Sequence, residues 1–395
     1  MTLLSINAGS SSLKVAVFDD DSLDSPKTSV SIEGIGAPNA CLIPEGVFGS
    51  DGTRKLPINT TEDAARYAKE WIADELGIGP DNITGIGHRV VHGGERFKQA
   101  TRIDNEVIDY LESITPLAPN HMPATVASIK AFVAAYPEVE HVACFDTSFF
   151  HNLPKVAKTL PIDKTIRDTY GIQRFGFHGL SYQFLLDSFA QNEGNEATSG
   201  KIVMAHLGNG ASITACDHGQ PVDTSMGFTP VSGIMMSTRT GDIEPGVVTY
   251  LQKYANMSAD DVAKLMSHQS GLLGVSGKTA DMYTLLQSEE TDEDAALAVE
   301  LFCYKITKQI GAYAAVLGGI DSVIFSGGIG ERSAPIRRRI LERLSFLGIE
   351  LDERRNQNGE RLISSDASRV GVHVIPARED VMIIRQTLDI TTKGA

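Results

Sequence analysis

The sequence has little cysteine and no long apolar run. Its cysteines show neither CxxC nor zinc-ligand spacing, which excludes a disulfide-stapled scaffold and indicates reduced thiols in a cytosolic protein. No stretch approaches the ~18 apolar residues of a membrane-spanning helix. The first residues do not combine a basic segment with an apolar one, so we expect no signal peptide and a cytoplasmic location. The cysteines are Cys41, Cys144, Cys216 and Cys303.

Basic residues are also scarce. Lys and Arg total 35 against 50 Asp and Glu, so the formal net charge is −15. A surface this acidic repels nucleic acid and anionic membranes, and we expect neither as a partner. An anionic substrate would therefore need a local basic pocket. The length of 395 residues, with 42% hydrophobic side chains, is typical of a globular protein with domains of ~150 residues, and predicts two or three of them.

Short apolar runs alternate with helical patterns along the chain, which predicts an α/β fold. Apolar runs at 3–6 and 13–18 flank a polar turn, and runs at 201–207 and 211–216 flank another, which indicates two related halves. Thr60 and Asp63 resemble an N-cap pairing at the start of a helix over 60–76. Further predicted strands are 141–145, 322–325 and 372–376, further helices are 122–136, 299–317, 334–347 and 380–388, and loops lie near Asn120 and at 192–200.

Three turns rich in Gly, Ser and Asn stand out as candidate phosphate cradles. Small residues let backbone N–H groups approach an anion, and a helix that follows such a turn adds its dipole. Taken singly, each is either a polar turn or a phosphate site; together they favour nucleotide phosphates. Their candidate contacts are Ser12 and Lys14 in the first turn, His206, Leu207, Gly208, Asn209 and Gly210 in the second, and Gly328, Ile329, Gly330 and Glu331 in the third.

Several familiar motifs are absent. The stretch GLLGVSGKT at 271–279 misses the glycine spacing of a P-loop, and no GxGxxG follows a strand. No GxSxG elbow exists for a serine hydrolase. His88 and His92 are four apart, but their glycine-rich flanks argue against a helix, so a zinc pair is not favoured.

Four charged or ionisable residues stand in glycine-rich or strand-end positions. Arg89 in GHRVVHGG and Arg239 in STRTG are either surface arginines or a clamp for a phosphoryl group, whose oxygens match the planar guanidinium. Asp146 ends a predicted strand, where it either orients a metal or substrate or caps a helix. His178 lies between Gly176 and Gly179 and is either a core histidine or a ligand contact.

The chain resembles the acetate and propionate kinase family over essentially its whole length. The resemblance rests on motifs that include LLSINAGSSSLK, GHRVVHGGERF, FDTSFFHNLP, FGFHGLS, AHLGNGASITACDHG, TRTGDIEPG and SGGIGE, in family order. It implies two duplicated actin-like (RNase H-like) domains, with mixed sheets flanked by helices and a cleft between them. The implied bounds are 1–147 with 378–395 for the acyl side and 148–377 for nucleotide binding and dimerisation.

The resemblance also implies an activity: a homodimer that transfers a phosphoryl group between ATP or ADP and acetate or acetyl phosphate, with Mg²⁺ or, as a substitute, Mn²⁺. Arg89 and Arg239 would clamp the phosphoryl group and His178 would hydrogen-bond it. Asn7, Asp146 and Glu379 would hold or orient the metal. Val91, Phe177 and Pro230 would line the acyl pocket, with Asn120 beside them, and Asp281, Met282 and Tyr283 would contact the nucleotide.

This sequence departs from the family pattern at a few of these positions. Asn120 and Met122 stand where the family usually has leucine and asparagine, and Tyr283 stands where it has arginine. Arg378 and Asp380, on either side of Glu379, replace asparagine and glutamate. These differences leave open a related kinase that prefers propionate or a hydroxyacid or uses pyrophosphate, and the fold alone would also allow a nucleotide sensor without turnover.

Overall fold

The computed structural model of the protein describes residues 2–9, 11–19, 22–46 and 52–392. The chain divides into two compact units. The first unit comprises residues 1–151, 179–184 and 378–395, and the second comprises residues 152–178 and 185–377. None of the helices in the part of the chain that is described is long and apolar enough to span a membrane.

The strands fall into two sheets. The first sheet contains β1 (Thr2–Ala8), β2 (Ser12–Asp19), β3 (Thr28–Glu33), β4 (Cys41–Gly46), β5 (Arg54–Lys55), β6 (Ile83–Val90), β7 (Thr101–Arg102) and β8 (His141–Phe145). The second contains β9 (Lys201–Leu207), β10 (Ala211–Asp217), β11 (Gln220–Thr224), β12 (Ser322–Ser326) and β13 (Gly371–Val374).

The α-helices surround these sheets. They are α1 (Thr61–Leu76), α2 (Asn105–Ser113), α3 (Met122–Ala135), α4 (Lys155–Lys158), α5 (Lys164–Tyr170), α6 (Gly179–Glu193), α7 (Pro245–Tyr254), α8 (Ala259–His268), α9 (Gly271–Ser276), α10 (Met282–Ser288), α11 (Glu293–Leu317), α12 (Gly327–Arg332), α13 (Ala334–Glu342), α14 (Glu353–Asn358) and α15 (Glu379–Thr392).

The sheet of the first unit runs in the order β5-β4-β3-β2-β1-β6-β8-β7. Strand β1 pairs antiparallel with β2 and parallel with β6, and β6 pairs parallel with β8. Alternate residues of β1 reach both faces: Leu4 and Ile6 pack in the core that includes α1, and Leu3 packs against α15. Both faces of the sheet are therefore covered, as expected for strands that read as continuous apolar runs.

Two glycines let α15 approach the sheet. A Cβ on Gly87 of β6 would lie 2.2 Å from Thr387 Oγ1 and 2.5 Å from the Ile383 Cγ2 atom of α15. A Cβ on Gly85 would lie 3.1 Å from a Thr387 carbon. The glycines of the GIGHRV segment thus bring α15 close to β6, and the helix starts at Glu379, beside the charged end of that strand.

The sheet of the second unit has the order β11-β10-β9-β12-β13. Strand β9 pairs antiparallel with β10 and parallel with β12, and β12 pairs parallel with β13. The long helix α11 packs on β9 and β10, and α12 packs on β9 and β12. The five strands match β3-β2-β1-β6-β8 of the first sheet in order and direction, which confirms the predicted α/β fold with two related halves.

Most predicted elements are present, and their ends differ for identifiable reasons. The N-cap prediction at α1 is confirmed, because Thr60 Oγ1 accepts a hydrogen bond from Asp63 N at 3.1 Å. The helix predicted at 299–317 begins at Glu293 because Asp292 caps it there. The helix predicted at 334–347 ends at Glu342, and a 3₁₀ turn follows. Ser10 of the first turn lies outside the described residues.

Candidate active site

Arg89, near the carboxyl end of β6, holds two carboxylates of the first unit. Its Nη2 donates to Asp146 Oδ2 at 2.8 Å, its Nε donates to Asp146 Oδ1 at 3.1 Å, and its Nη1 donates to Glu379 Oε2 at 2.9 Å. The Asp146 side chain is 2% exposed, and those of Arg89 and Glu379 are 17% exposed. The guanidinium is therefore oriented by a fork on one carboxylate and a single hydrogen bond to another.

The sheet brings these residues together. Strands β6 and β8 are parallel neighbours, so Arg89 lies opposite Cys144 and Asp146 comes just after the strand end. The Asp146 N–H continues the ladder and donates to the Val90 carbonyl oxygen at 3.0 Å. Glu379 arrives at the same edge as the first residue of α15. The sequence placed Asp146 at a strand end correctly, and its carboxylate faces Arg89.

The cluster keeps Arg89 charged and leaves an excess of negative charge. Burial opposes the charge of the guanidinium, but the facing carboxylates of Asp146 and Glu379 outweigh it and raise the pKa of Arg89. Two carboxylates against one guanidinium leave a formal charge of −1, carried by hard oxygen donors of the kind Mg²⁺ prefers. Among the described residues no group of three or more His, Cys, Asp or Glu side chains forms a metal cage. Mg²⁺ suits such a site because it usually keeps waters and binds through one or two carboxylates plus phosphates.

The first glycine- and serine-rich turn joins β1 to β2. Asn7 lies opposite Lys14 in this hairpin, and the Gly9 N–H closes the turn on the Ser12 carbonyl oxygen at 2.8 Å. Lys14 Nζ donates to Glu45 Oε2 at 3.0 Å, and both side chains are about half exposed. Asn7 and Lys14 therefore project from one face of the sheet, and the described contact of the Lys14 ammonium is with a carboxylate of β4.

His88 lies beside Arg89 but points to the other face of β6, and the structure pairs it with His141 rather than with His92. His141 Nε2 lies 3.1 Å from the Tyr136 carbonyl oxygen and must carry a proton to donate to it. His141 Nδ1 then accepts from His88 Nε2 at 3.0 Å. Burial lowers the pKa of both rings. The pair is a neutral core element on a strand, which agrees with setting aside a helical zinc pair.

The residues predicted to line an acyl pocket divide between the units. In the first unit Val91 packs against an apolar cluster that includes Phe145 and Met122, and Asn120 is half-buried in the loop just before Met122. In the second unit Phe177 is 1% exposed and Pro230 is buried. Two of the four candidates therefore lie in each unit.

In the second unit, His178 lies against the β9–β10 turn. Its backbone is in the left-handed region at φ 60°, which is uncommon for a residue with a side chain and occurs often at functional sites. Its Nδ1 lies 2.8 Å from Ser212 Oγ, and its ring stacks on His206 at 4.5 Å between centroids. His178 is thus a half-buried histidine held by a hydroxyl and an imidazole.

Arg239 points to the same turn. A Cβ on Gly210 would lie 3.3 Å from His178 Nε2 and 3.6 Å from Arg239 Nη1, so this glycine leaves room for both side chains. Arg239 Nη1 donates to the Pro230 carbonyl oxygen at 3.0 Å. The second unit thereby brings together three predicted residues, His178, His206 and Arg239, around Gly210.

The segment that carries Arg239 is hydrogen-bonded to the start of the 271–279 segment, whose glycine spacing does not match a P-loop. Ser270 N donates to the Thr238 carbonyl oxygen at 3.0 Å, and Leu272 N donates to that of Met236 at 2.9 Å. Gly271 sits between them at φ 64°, where a Cβ would lie 2.1 Å from the Met236 oxygen. The GLLG segment therefore positions the Arg239 loop, a role that its sequence did not reveal.

The third glycine-rich turn is itself a short helix, α12, which starts directly after β12. Gly327 takes φ 75°, and a Cβ added to Gly328 would meet open space. Glu331 Oε1 accepts from Gly327 N at 2.8 Å and from Ala377 N at 2.9 Å. The Glu331 carboxylate, which the sequence predicted to contact nucleotide, thus binds the backbone N–H at the start of its own helix.

A pocket of about 1040 Å³ opens in the second unit beside this turn. Its lining includes seven residues that the sequence assigned to nucleotide binding: Gly208, Asn209, Asp281, Met282, Tyr283, Gly328 and Ile329. Lys14 and Ser12 belong to the first unit and are not part of this lining. The lining does not include His206, Leu207, Gly210, Gly330 or Glu331, each of which lies within two positions of a lining residue in the chain.

Sequence reasoning missed the basic wall of this pocket. Arg332, Arg338 and Arg339 line it, and Arg337 lies behind them, 1% exposed. Arg337 donates to the carbonyl oxygens of Gly330, Glu331 and Asn356 at 2.7–2.8 Å, and burial lowers its pKa to about 10. The run of three arginines at 337–339 in an acidic chain was the signal that could have located the wall.

Comparison with known proteins gives full-length matches. A family model described as the acetokinase family matches residues 2–385. The acetate kinase of Clostridium novyi (strain NT) is 40% identical over 404 residues, covering 100% of this chain and 99% of that protein. The crystal structure of Porphyromonas gingivalis acetate kinase has 34% identity and a TM-score of 0.90, and that of a propionate kinase from Francisella tularensis has 31% identity and a TM-score of 0.92; each covers 98% of this chain and 99% of the other.

Proposed function

Since the chain belongs to the acetokinase family, we propose that it is a phosphotransferase that moves a phosphoryl group reversibly between ATP and acetate, giving acetyl phosphate and ADP. The observation that carries the proposal is the Arg89 cluster, a permanently charged fork held by Asp146 and Glu379 at the carboxyl ends of two parallel strands. Further support comes from the pocket of about 1040 Å³ that seven predicted nucleotide contacts line.

The reaction asks for charge and positioning rather than for a base. A carboxylate is already ionised at neutral pH, so no side chain has to remove a proton to create the nucleophile. Arg89 and Arg239 would bind the oxygens of the transferring phosphoryl group, and His178 would donate a hydrogen bond to it. Such donors stabilise the charge that spreads over these oxygens in the transition state.

The same cluster would hold the metal. Asp146 and Glu379, with Asn7 of the β1–β2 hairpin, would bind or orient Mg²⁺, and Mn²⁺ would substitute. Their oxygen donors suit a cation of this kind. When bound, the metal neutralises charge on the nucleotide phosphates. Arg89 donates hydrogen bonds to both carboxylates and would keep them oriented.

The acyl group would contact Val91, Asn120, Phe177 and Pro230, and the nucleotide would bind the pocket of the second unit. In line with the family resemblance, residues 1–147 with 378–395 would form the acyl side, and residues 148–377 would bind the nucleotide. Asn120 supports a second candidate, a kinase that prefers propionate or a hydroxyacid, because this polar residue is half-buried between Ala118 and Met122, which belong to an apolar cluster. We also propose a cytoplasmic homodimer, from the family resemblance alone.

A substrate panel tests the proposal. Purified protein, ATP and Mg²⁺ would be incubated with acetate, propionate, butyrate, lactate or glycolate, and the acyl phosphate trapped as the hydroxamate. The largest kcat/KM for acetate would support the main proposal, and a larger value for another acid would move the assignment to that acid. If no acid reacts with ATP but one reacts with pyrophosphate, the phosphoryl donor is wrong. Absence of any acyl phosphate, with any donor, would reject the activity.

A further inference from the structure

Two walls of different origin face each other across the nucleotide pocket. One wall is formed by α10 and the residues around it, which include Tyr283 and Glu289. The other is formed by α12 and α13, which include Ser333 and Arg339. Both α10 and α13 pack against α11. A direct contact between α10 and α13, in addition to their packing on α11, would therefore fix the distance between the two walls.

A bidentate ion pair makes such a join. Arg339 Nη1 donates to Glu289 Oε2 at 2.7 Å, and Arg339 Nη2 donates to Glu289 Oε1 at 2.5 Å. The side chains are 27% and 19% exposed, so solvent screens them only in part. The hydrogen bonds to Glu289 raise the pKa of Arg339, which keeps its guanidinium charged. Glu289 is the C-cap of α10, and Arg339 lies within α13.

We propose that Arg339 and Glu289 are positioning residues that set the width of the nucleotide pocket. A fork with two parallel hydrogen bonds fixes both distance and angle, unlike a point contact from lysine. With α10 held in place, Tyr283 stays within reach of the base and ribose of a bound nucleotide. The inference rests on the proposed function, because it names residues that prepare that same site.

The pair acts on the nucleoside rather than on the phosphates. The phosphate candidates, such as Gly208 and Gly328, lie on the β9–β10 turn and on α12, whereas the hydrogen bonds of the pair join α10 to α13. Loss of the pair would let α10 move. Nucleotide binding would then have to order α10, and this ordering would reduce the binding free energy. The expected signature is a weaker nucleotide affinity with an unchanged rate of phosphoryl transfer.

The chain offers a matched control. Arg343, the C-cap of α13, pairs with Glu300 of α11. This second pair also ties α13 to a neighbouring helix, but neither of its residues lines the pocket. Glu289→Gln and Glu300→Gln each remove one carboxylate from such a tie. A general loss of stability would affect both variants, and a change in pocket width only the first.

The test uses the full-length protein and three measurements: the Kd of ADP by calorimetry, the inhibition constant of inorganic tripolyphosphate, and kcat with KM for ATP. We expect Glu289→Gln to weaken ADP binding and raise the KM for ATP about tenfold, the effect of losing a charged hydrogen-bonded pair. The inhibition constant of tripolyphosphate should stay within about twofold, because this ligand has no nucleobase or ribose. The value of kcat should also stay within about twofold, because the pair does not act on the phosphates. Glu300→Gln should leave all three unchanged.

Arg339→Lys covers the case in which Glu289→Gln does not fold, since it keeps the charge and one hydrogen bond, and an intermediate effect is expected. The exchanged pair, Glu289→Arg with Arg339→Glu, should recover most of the ADP affinity. Equal effects of Glu289→Gln and Glu300→Gln, or equal weakening of ADP and tripolyphosphate, would overturn the inference. If the unaltered protein does not bind ADP, the proposed function fails as well; if it binds ADP and Glu289→Gln binds as tightly, only the positioning role fails.

Discussion

The two units use one strand arrangement for two kinds of chemistry. In each, a central strand pairs antiparallel with the next strand along the chain and parallel with a later one: β1 with β2 and β6, and β9 with β10 and β12. After the parallel strands, however, the units differ. Strand β6 carries Arg89 and β8 is followed by Asp146, whereas β12 leads directly into Gly327 and Gly328. One sheet edge presents charged side chains and the other presents bare backbone.

The first hairpins of the two units show the same contrast. Asn7 lies opposite Lys14 one residue before the end of β1, and His206 lies opposite Ser212 one residue before the end of β9. An amide and an ammonium in one unit correspond to an imidazole and a hydroxyl in the other. The comparison teaches that the scaffold decides where functional groups stand, and that a few residues after the strands decide what they do.

Removal of Arg89 should give the largest effect, because the edge of the first sheet depends on charge. In Arg89→Ala, Asp146 and Glu379 lose their shared cation and the phosphoryl group loses the clamp that we propose, so we expect kcat/KM to fall about 1000-fold. Acyl phosphate formation measures it. Arg102→Ala, which breaks an exposed pair with Glu140 in the same unit, is the control and should stay near the unaltered rate. Near-normal activity of Arg89→Ala would remove this residue from the machinery.

The backbone edge of the second sheet should instead be sensitive at a glycine. In Gly327→Ala, the new Cβ would lie 2.7 Å from the Leu207 carbonyl oxygen at a φ of 75°. We expect the free energy of unfolding to drop by about 2 kcal/mol and ADP binding to be lost. Urea unfolding and calorimetry measure both. Gly328→Ala, whose Cβ meets open space, should unfold like the unaltered protein, and equal destabilisation by the two changes would contradict the argument.

The stability of the two units should also respond differently to low pH. Burial lowers the pKa of His88 and His141, and lowers that of His92 to about 4, all in the first unit; in the second, burial lowers that of His373. Unfolded histidine titrates near 6.5, so below about pH 6.5 the unfolded chain takes up protons that the folded chain excludes. The contribution of these histidines to the free energy of unfolding is therefore fully present above this pH, and it is lost as the pH drops toward 4.

Because three of these four histidines lie in the first unit, with His88 and His141 on its core strands, we expect its amides to lose protection first. Hydrogen exchange followed by mass spectrometry, at about pH 7.5 and 5.5 and corrected for the intrinsic exchange rate, reports each unit separately. Peptides from β6 and β8 should lose more protection than those from β9 and β12. Equal losses in the two sheets would show that the buried His88–His141 pair does not govern acid stability.

The smallest effect should come from the Lys14–Glu45 pair on the first hairpin. The two side chains are 49% and 48% exposed, so Glu45→Gln should change the free energy of unfolding by no more than about 0.5 kcal/mol. Urea unfolding at low and high salt measures this, and the difference should shrink at high salt. A larger change that salt does not reduce would mean that the pair is structurally more important than its exposure indicates.

Local patterns identified much of the fold. The hairpins at β1–β2 and β9–β10, the strand His141–Phe145 and the cap at Thr60 all follow from alternation and capping chemistry within a few residues. The short helices of the second unit had no such signal, and the SGGIGE turn gave no sign that its glycines form α12. The helix predicted at 334–347 ended at Glu342, and a 3₁₀ turn at Ser345–Leu347 followed it.

The candidate site divides in the same way. Its strand-end and turn residues, such as Arg89, Asp146 and His178, were visible in the sequence because charged or polar groups among glycines are unusual. The contacts between distant segments were not visible: Arg89 with Glu379 spans 290 positions, and Arg339 with Glu289 spans 50. No local periodicity encodes such pairs.

The sequence by itself therefore determined the α/β class and the duplicated hairpins, and it supplied most of the candidate phosphate contacts, because these depend on neighbours along the chain. Only the tertiary structure decided which of them meet: that α15 returns at Gly87 to bring Glu379 to Arg89, and that Gly271 anchors the Arg239 loop. The physical reason is that close packing and charge pairing act through space, between segments whose separation along the chain carries no trace of their contact.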